Sequence, residues 1–175
     1  MAKRILLLGK NGQVGWELQR SLAPLGELWA LGRDAASNPH WQGQPLHGDL
    51  ADADALARTV QLLQPDVIVN AAAYTAVDKA ESEPEQAHTI NASAAGVLAQ
   101  HAQALGALLV HYSTDYVFDG SSQQPWPVDA PTGPLNVYGH SKLAGEQQIR
   151  ASGATHLIFR TSWVYAARGG NFAKT

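Results

Sequence analysis

A chain of 175 residues, 45% hydrophobic and 15% charged, is long enough for one substantial core and too apolar to be disordered. With 12 basic and 15 acidic residues the net charge is −3, which offers no electrostatic footprint for nucleic acid or an acidic membrane surface. Cysteine is absent, so disulfides and thiolate chemistry are excluded.

The opening "MAKRILLLG" sets two basic residues before an apolar run far too short for a secretory signal, and no window approaches a membrane span. A soluble, cytoplasmic protein is expected. "RILLLG" closes on glycine like a buried parallel strand. A helix follows over "QVGWELQRSLAPLG", with Val14, Leu18 and Leu22 on one face and Pro24 and Gly26 as its stop. "ELWAL" and "QPLHGDL" hold the second and third strands. "DADALARTVQLLQ" is a helix burying Leu56, Val60 and Leu63, and "DVIVNAAA" is the fourth strand. An Ala-rich helix spans about Pro84 to Leu105, "ALLVHYSTD" is the fifth strand, and a polar loop covers Gly120 to Pro134. A last helix from Asn136 to Arg150 leads into "THLIFRTSW", the sixth strand. Alternating strands and helices predict an α/β fold, a doubly wound parallel sheet of Rossmann type with helices on both faces. "GGNFAKT" reads as the opening of a further helix. Residues 1–175 are therefore expected to form one nucleotide-binding domain with no obvious finishing element.

Gly9, Gly12 and Gly15 form G-x-x-G-x-x-G between the first strand and first helix. Glycines there let the backbone approach a pyrophosphate, and the helix N-terminus supplies free N–H groups. After the second strand, Arg33 suits a 2′-phosphate and Asp34 a 2′-hydroxyl, so NADPH or NADH is expected, with Arg33 tilting toward NADPH. Asp49, after the third strand, is either an adenine contact or a helix N-cap. Ala71, Ala72 and Ala73 are small where the fourth strand meets the same rim. Tyr138 and Lys142, in "YGHSK", share a helical face. A nearby ammonium favours phenolate and so suits the tyrosine to proton transfer. Ser113 and Thr114 end the fifth strand with hydroxyls that could hold a carbonyl oxygen. The loop lacks the Gly-Lys-Ser/Thr ending of an NTPase, "GHSKL" lacks the last glycine of a nucleophile elbow, and no histidine spacing fits a metal site.

"GKNGQVGWELQ", "PDVIVNAAAYTAVDKAESEPE", "HYSTDYVFDG", "PLNVYGHSKLAGE" and "LIFRTSWVYA" together resemble the N-terminal part of the extended short-chain dehydrogenase/reductases, and within them the dTDP-4-dehydrorhamnose reductase family. The resemblance implies an oxidoreductase that uses NAD(P)H to reduce the 4-keto group of dTDP-4-dehydro-L-rhamnose, the last step toward dTDP-L-rhamnose for cell-surface polysaccharide. Tyr138 would protonate the nascent alkoxide, Lys142 would tune it and bind the nicotinamide ribose, and Thr114 would hold the carbonyl oxygen. The implied cofactor contacts add Lys10, Asn11, Gln13, Val14, Leu50, Tyr74 and Asn91 to the residues above. Thr75, Asp115, Tyr116 and Trp163 would approach the sugar, with core packing the other reading of Trp163. It also implies that this domain lacks its last strand and that a C-terminal substrate domain is absent from the chain. The expected partner is a nucleotide-sugar, with a homodimer open and no metal, nucleic acid or membrane. Another nucleotide-sugar reductase or epimerase, or a non-catalytic NADP-binding regulatory subunit of the same fold, are the alternatives.

Overall fold

The computed structural model describes residues 2–174. Its elements in chain order are β1 (Arg4–Leu8), α1 (Gln13–Leu22), β2 (Glu27–Leu31), β3 (His40–Trp41), β4 (Gln44–Pro45), α2 (Ala53–Leu63), β5 (Val67–Asn70), α3 (Val77–Ala80), α4 (Pro84–His88), α5 (Ala94–Leu105), β6 (Leu108–Thr114), α6 (Val137–Ala151) and β7 (His156–Thr161). Five strands pair in parallel in the order β2-β1-β5-β6-β7. Among the described residues no helix is long and apolar enough to cross a membrane.

The run "RILLL" alternates across the sheet, as the period of a strand requires. Leu6 and Leu8 join Leu31, Ile68 and Leu109 beneath α2 and α5 in the larger core, where Leu56, Val60, Leu63 and Leu98 are fully buried. Ile5 and Leu7 join Val69 on the other face, against Leu18 and Leu22 of α1. Toward β7 that second face is open: Leu157 and Phe159 are 48% and 46% exposed. The Phe159 ring rests on Tyr112, 5.8 Å between centroids.

The expected third strand over "QPLHGDL" does not join the sheet. Gln44–Pro45 pairs antiparallel with His40–Trp41 in a separate hairpin. Pro45 has no N–H for a ladder. The buried Asn38 carboxamide bridges the gap instead. It accepts from Gly32 N (2.8 Å) and donates to Gly32 O (2.9 Å) and Leu46 O (3.2 Å). The expected helix from Pro84 to Leu105 is continuous but contains a π-helical turn, Thr89–Ser93, at its middle. The short helix α3 went unread in the sequence, and "GGNFAKT" contains a 3₁₀ turn, Phe172–Lys174, with Thr175 outside the described residues.

Candidate active site

The glycine loop is built by contacts that side chains would prevent. Gly9 has φ +92°, and a Cβ there would lie 2.8 Å from Ala72 N. Its N–H and that of Lys10 donate to Leu31 O at 2.9 and 3.1 Å, which ties the loop to the end of β2. A Cβ on Gly15 would fall 2.0 Å from Gly9 O, so this glycine lets α1 sit directly on the loop. Gly12 caps α1 with no side-chain acceptor for the first-turn N–H groups. Those donors and the helix dipole suit a phosphate. Gly15→Ala should therefore push α1 off the loop, destabilise the fold by about 1–3 kcal/mol and abolish dinucleotide binding, as read by urea unfolding and calorimetry.

A cleft of about 710 Å³ opens over the C-terminal ends of the strands. Of the residues expected at a cofactor site, Gly9, Asn11, Gly12, Gln13, Val14, Arg33, Asp49, Leu50, Ala71, Ala72, Ala73, Tyr138 and Lys142 line it, and Thr75 joins them from the expected sugar contacts. Asp34, the other candidate after β2, lines it too, and its Oδ1 accepts from Ala36 N at 3.0 Å. Asp49 is not the cap of α2: it accepts from Ala51 N (3.0 Å), while Asp52 takes Ala55 N (2.9 Å). Ile90, Tyr112, Thr161, Val164 and Gly169 also line the cleft and carried no recognisable signal in the sequence.

The remaining expected residues stand behind or beside this wall. Lys10 Nζ donates to Ser37 O at 2.5 Å. Tyr74 turns its ring into the cluster of Ala80, Ala87 and Tyr138, and its hydroxyl donates to Glu83 (2.8 Å). Asn91 sits on the π turn, a distortion that is frequent at functional sites. Its carboxamide accepts from Tyr74 N (2.9 Å) and donates to Tyr74 O (3.0 Å) and Ser141 Oγ (2.9 Å), clamping the loop after β5 to α6. Asp115 accepts from Ser162 Oγ at 2.6 Å. Tyr116 stacks edge-on against Tyr138, 5.6 Å between centroids. Trp163 is 74% exposed with φ +51° and leans on Phe172 rather than the core.

Helix α6 places the tyrosine and lysine. The Asn136 side chain caps it by accepting from Gly139 N (2.7 Å), and Glu81 accepts from Val137 N (2.8 Å). Gly139 packs on the turn after β6, where a Cβ would lie 2.4 Å from Tyr116 O. Tyr138 is 9% exposed. Burial raises its pKa above the usual phenol value, and a hydrogen bond with Thr114 pulls the other way. Lys142 is fully buried. Burial pushes it down to about 8, with the charge of Glu146 opposing. The largest influences on Tyr138 are burial, Thr114, Asp115 and Tyr116, ahead of the expected one from Lys142. The lysine is occupied instead beneath the sheet end: Nζ donates to Tyr112 O at 2.6 Å and lies 3.3 Å from His111 Nε2. One turn on, the fully buried Glu146 accepts from Arg160 Nε (2.9 Å) and Nη2 (2.7 Å), from Arg150 (3.1 Å) and from Ser113 Oγ (2.6 Å). This carboxylate locks α6 to β6 and β7.

Residues 3–175 match the family model described as the RmlD substrate binding domain. Among curated relatives, the dTDP-4-dehydrorhamnose reductase of Salmonella typhimurium is 57% identical over 171 residues, covering 98% of this chain and 54% of the relative. That of Burkholderia thailandensis is 52% identical over 172 residues, covering 98% of this chain and 54% of the relative. The chain thus spans about half the length of the relatives it matches. Among solved structures, a dTDP-4-dehydrorhamnose reductase from Bacillus anthracis in complex with NADP superposes with a TM-score of 0.88 at 36% identity, covering 99% of this chain and 58% of that one. The Bordetella bronchiseptica enzyme WbmG in complex with NAD and UDP gives 0.76 at 25% identity, covering 91% and 53%.

Proposed function

The chain belongs to the RmlD substrate binding domain family, and from that we propose that it is the dinucleotide-binding and catalytic part of a dTDP-4-dehydrorhamnose reductase. The observation that carries this reading is the meeting of two features in one cleft: an uncapped helix N-terminus behind a glycine loop, and a buried tyrosine and lysine on one helical face. The residues fit a nicotinamide dinucleotide. The loop N–H groups are placed for its pyrophosphate, Arg33 and Asp34 for the ribose at the rim of β2, and the alanines after β5 leave it room. When bound, NADPH or NADH supplies the hydride.

The protein's own groups do the rest. The Tyr138 phenol, kept protonated by burial, is the acid for the oxygen that gains charge as the 4-keto group of dTDP-4-dehydro-L-rhamnose is reduced. Thr114 shares a hydrogen bond with that phenol and can hold the same oxygen. Lys142 lines the cleft, and under this reading its nitrogen would turn from Tyr112 O to the ribose. Thr75 is the sugar contact already on the cleft wall; Asp115, Tyr116 and Trp163 lie outside it, ready to meet a ligand that extends past Tyr138. Under this reading the protein works in the cytoplasm, as a homodimer if it assembles.

Calorimetry of the chain with NADPH, NADH and the dTDP-sugar in turn tests the proposal. Binding of a reduced dinucleotide is expected, and binding of neither would sink it.

A further inference from the structure

Asn70, His111 and Lys142 lie in a row beneath the cleft, each 1% exposed, and only the last has a part in the reaction proposed above. Their hydrogen bonds have a direction that can be read from a fixed end. The Ala72 N–H, which can only donate, lies 3.2 Å from Asn70 Oδ1. That turns Asn70 Nδ2 toward His111 Nδ1, 3.1 Å away. An amide nitrogen also only donates, so Nδ1 must hold the lone pair. Burial keeps the imidazole well below its usual pKa, so the ring is neutral and its one proton is on Nε2. Nε2 faces Lys142 Nζ at 3.3 Å. A ring N–H therefore points at a nitrogen that already donates to Tyr112 O. The contact is satisfied only when Nζ has a lone pair to offer, which an amine has and an ammonium lacks.

We propose that Asn70 and His111 are positioning residues that favour the neutral amine of Lys142 in the ligand-free protein: the Ala72 amide orients Asn70, Asn70 sets the tautomer of His111, and the ring turns its N–H to the lysine.

The groups around Lys142 supply no free counter-ion. On α6, Glu146 favours the ammonium, but its carboxylate is taken up by Arg160, Arg150 and Ser113. Tyr138 on α6 and Tyr112 on β6 are held above the usual phenol pKa by burial and stay uncharged. Asp115 and Tyr116, in the turn against α6, act on the Tyr138 phenol. On α3, α4 and the turn between them, Glu81 caps α6, Glu83 pairs with Lys79 and Tyr74, and Asp78, Glu85 and His88 are the remaining ionisable groups. His101 is the one ionisable group of α5, and Asp66, before β5, accepts from Arg4 N. Burial, against the opposing charge of Glu146, brings the lysine to about 8, and the opposed N–H acts in the same direction as burial.

The consequence for turnover rests on the reductase reading: an amine at Lys142 must take up a proton before it can support a phenolate at Tyr138. The inference itself is tested without cofactor or substrate, so either can fail while the other holds. Ring nitrogen NMR of the ligand-free protein should show the Nε2–H tautomer at His111. The lysine side-chain carbon resonance lost in Lys142→Met should titrate below about 8. An Nδ1–H ring, or a Lys142 midpoint no lower than those of Lys3, Lys10, Lys79 and Lys174, would overturn the proposal. Asn70→Asp gives a second arm: a carboxylate accepts from both Ala72 and the ring. It should move the proton to Nδ1 and raise the Lys142 midpoint by about one pH unit or more. A folded Asn70→Asp protein with both unchanged would also overturn it, and the wild-type measurements decide if that variant does not fold.

Discussion

Under the proposed reductase function, Tyr138→Phe is expected to lower NADPH-dependent reduction of dTDP-4-dehydro-L-rhamnose by about 10²–10⁴-fold, the span of a lost general acid, while leaving dinucleotide affinity unchanged. The ring is held by contacts that the hydroxyl does not make. It stacks on Tyr116 and packs with Ala80 and Ala87, and both interactions survive in phenylalanine. Thr114 keeps its own bonds to Asp115 Oδ1 and Tyr116 N, so the turn after β6 keeps its shape. Only the hydroxyl, with its proton and its hydrogen bond to Thr114, is removed. The measurement is paired, cofactor oxidation with substrate beside calorimetry without it. A Phe variant with full turnover would take Tyr138 out of the mechanism, and one that loses both readouts would point to misfolding.

Glu146→Leu should destabilise the protein by about 3–5 kcal/mol in urea unfolding, the range for removing one partner of a buried ion pair. The carboxylate is fully buried, and its chief partner, Arg160, is only 14% exposed on its side chain. Without Glu146 the Arg160 guanidinium keeps its place over the Phe118 ring, 4.9 Å from the centroid, with no countercharge. The pH dependence has a definite sign. Burial pushes the Glu146 carboxyl up, but its bonds from Arg160 and Ser113 and the charges of the two arginines outweigh burial and hold it below the usual value. A depressed carboxyl contributes stability above its ordinary pKa and loses it as pH falls through the lowered one. Wild type should lose stability in that acid window, and Glu146→Leu should lack this component. Equal slopes in the two proteins would refute the assignment.

The parts of the site written in local chemistry were legible in the sequence. The glycine loop is three residues at fixed spacing, and the cap at Asn136 is one side chain and one N–H, so both could be read without knowing what lies across the sheet. Short apolar runs likewise made all five strands of the sheet legible, though not their order. What escaped depends on distant partners. Pro45 and the Asn38 bridge decide that the expected third strand stays out of the ladder, and neither means anything until Gly32 and Leu46 are seen together. Asn91 reads as one more polar residue in an alanine-rich helix until the π turn aims it at Tyr74 and Ser141. The spacing of Tyr138 and Lys142 was sound, but spacing says nothing about where an ammonium goes once buried. The carbonyl of Tyr112 claims it, and the phenol is left with Thr114.

The strand order has a kinetic side. β1 precedes the other strands in the chain and lies between β2 and β5, and among the described residues every pairing in the sheet is parallel and joined by a crossover rather than a hairpin. Loop closure then comes before the contacts that reward it, which makes such a sheet a slow folder beside a helical bundle of equal size. Until β5 docks, Leu6 and Leu8 have no partner strand on that side. Refolding yield should fall with protein concentration, because that interval is when one chain can meet another.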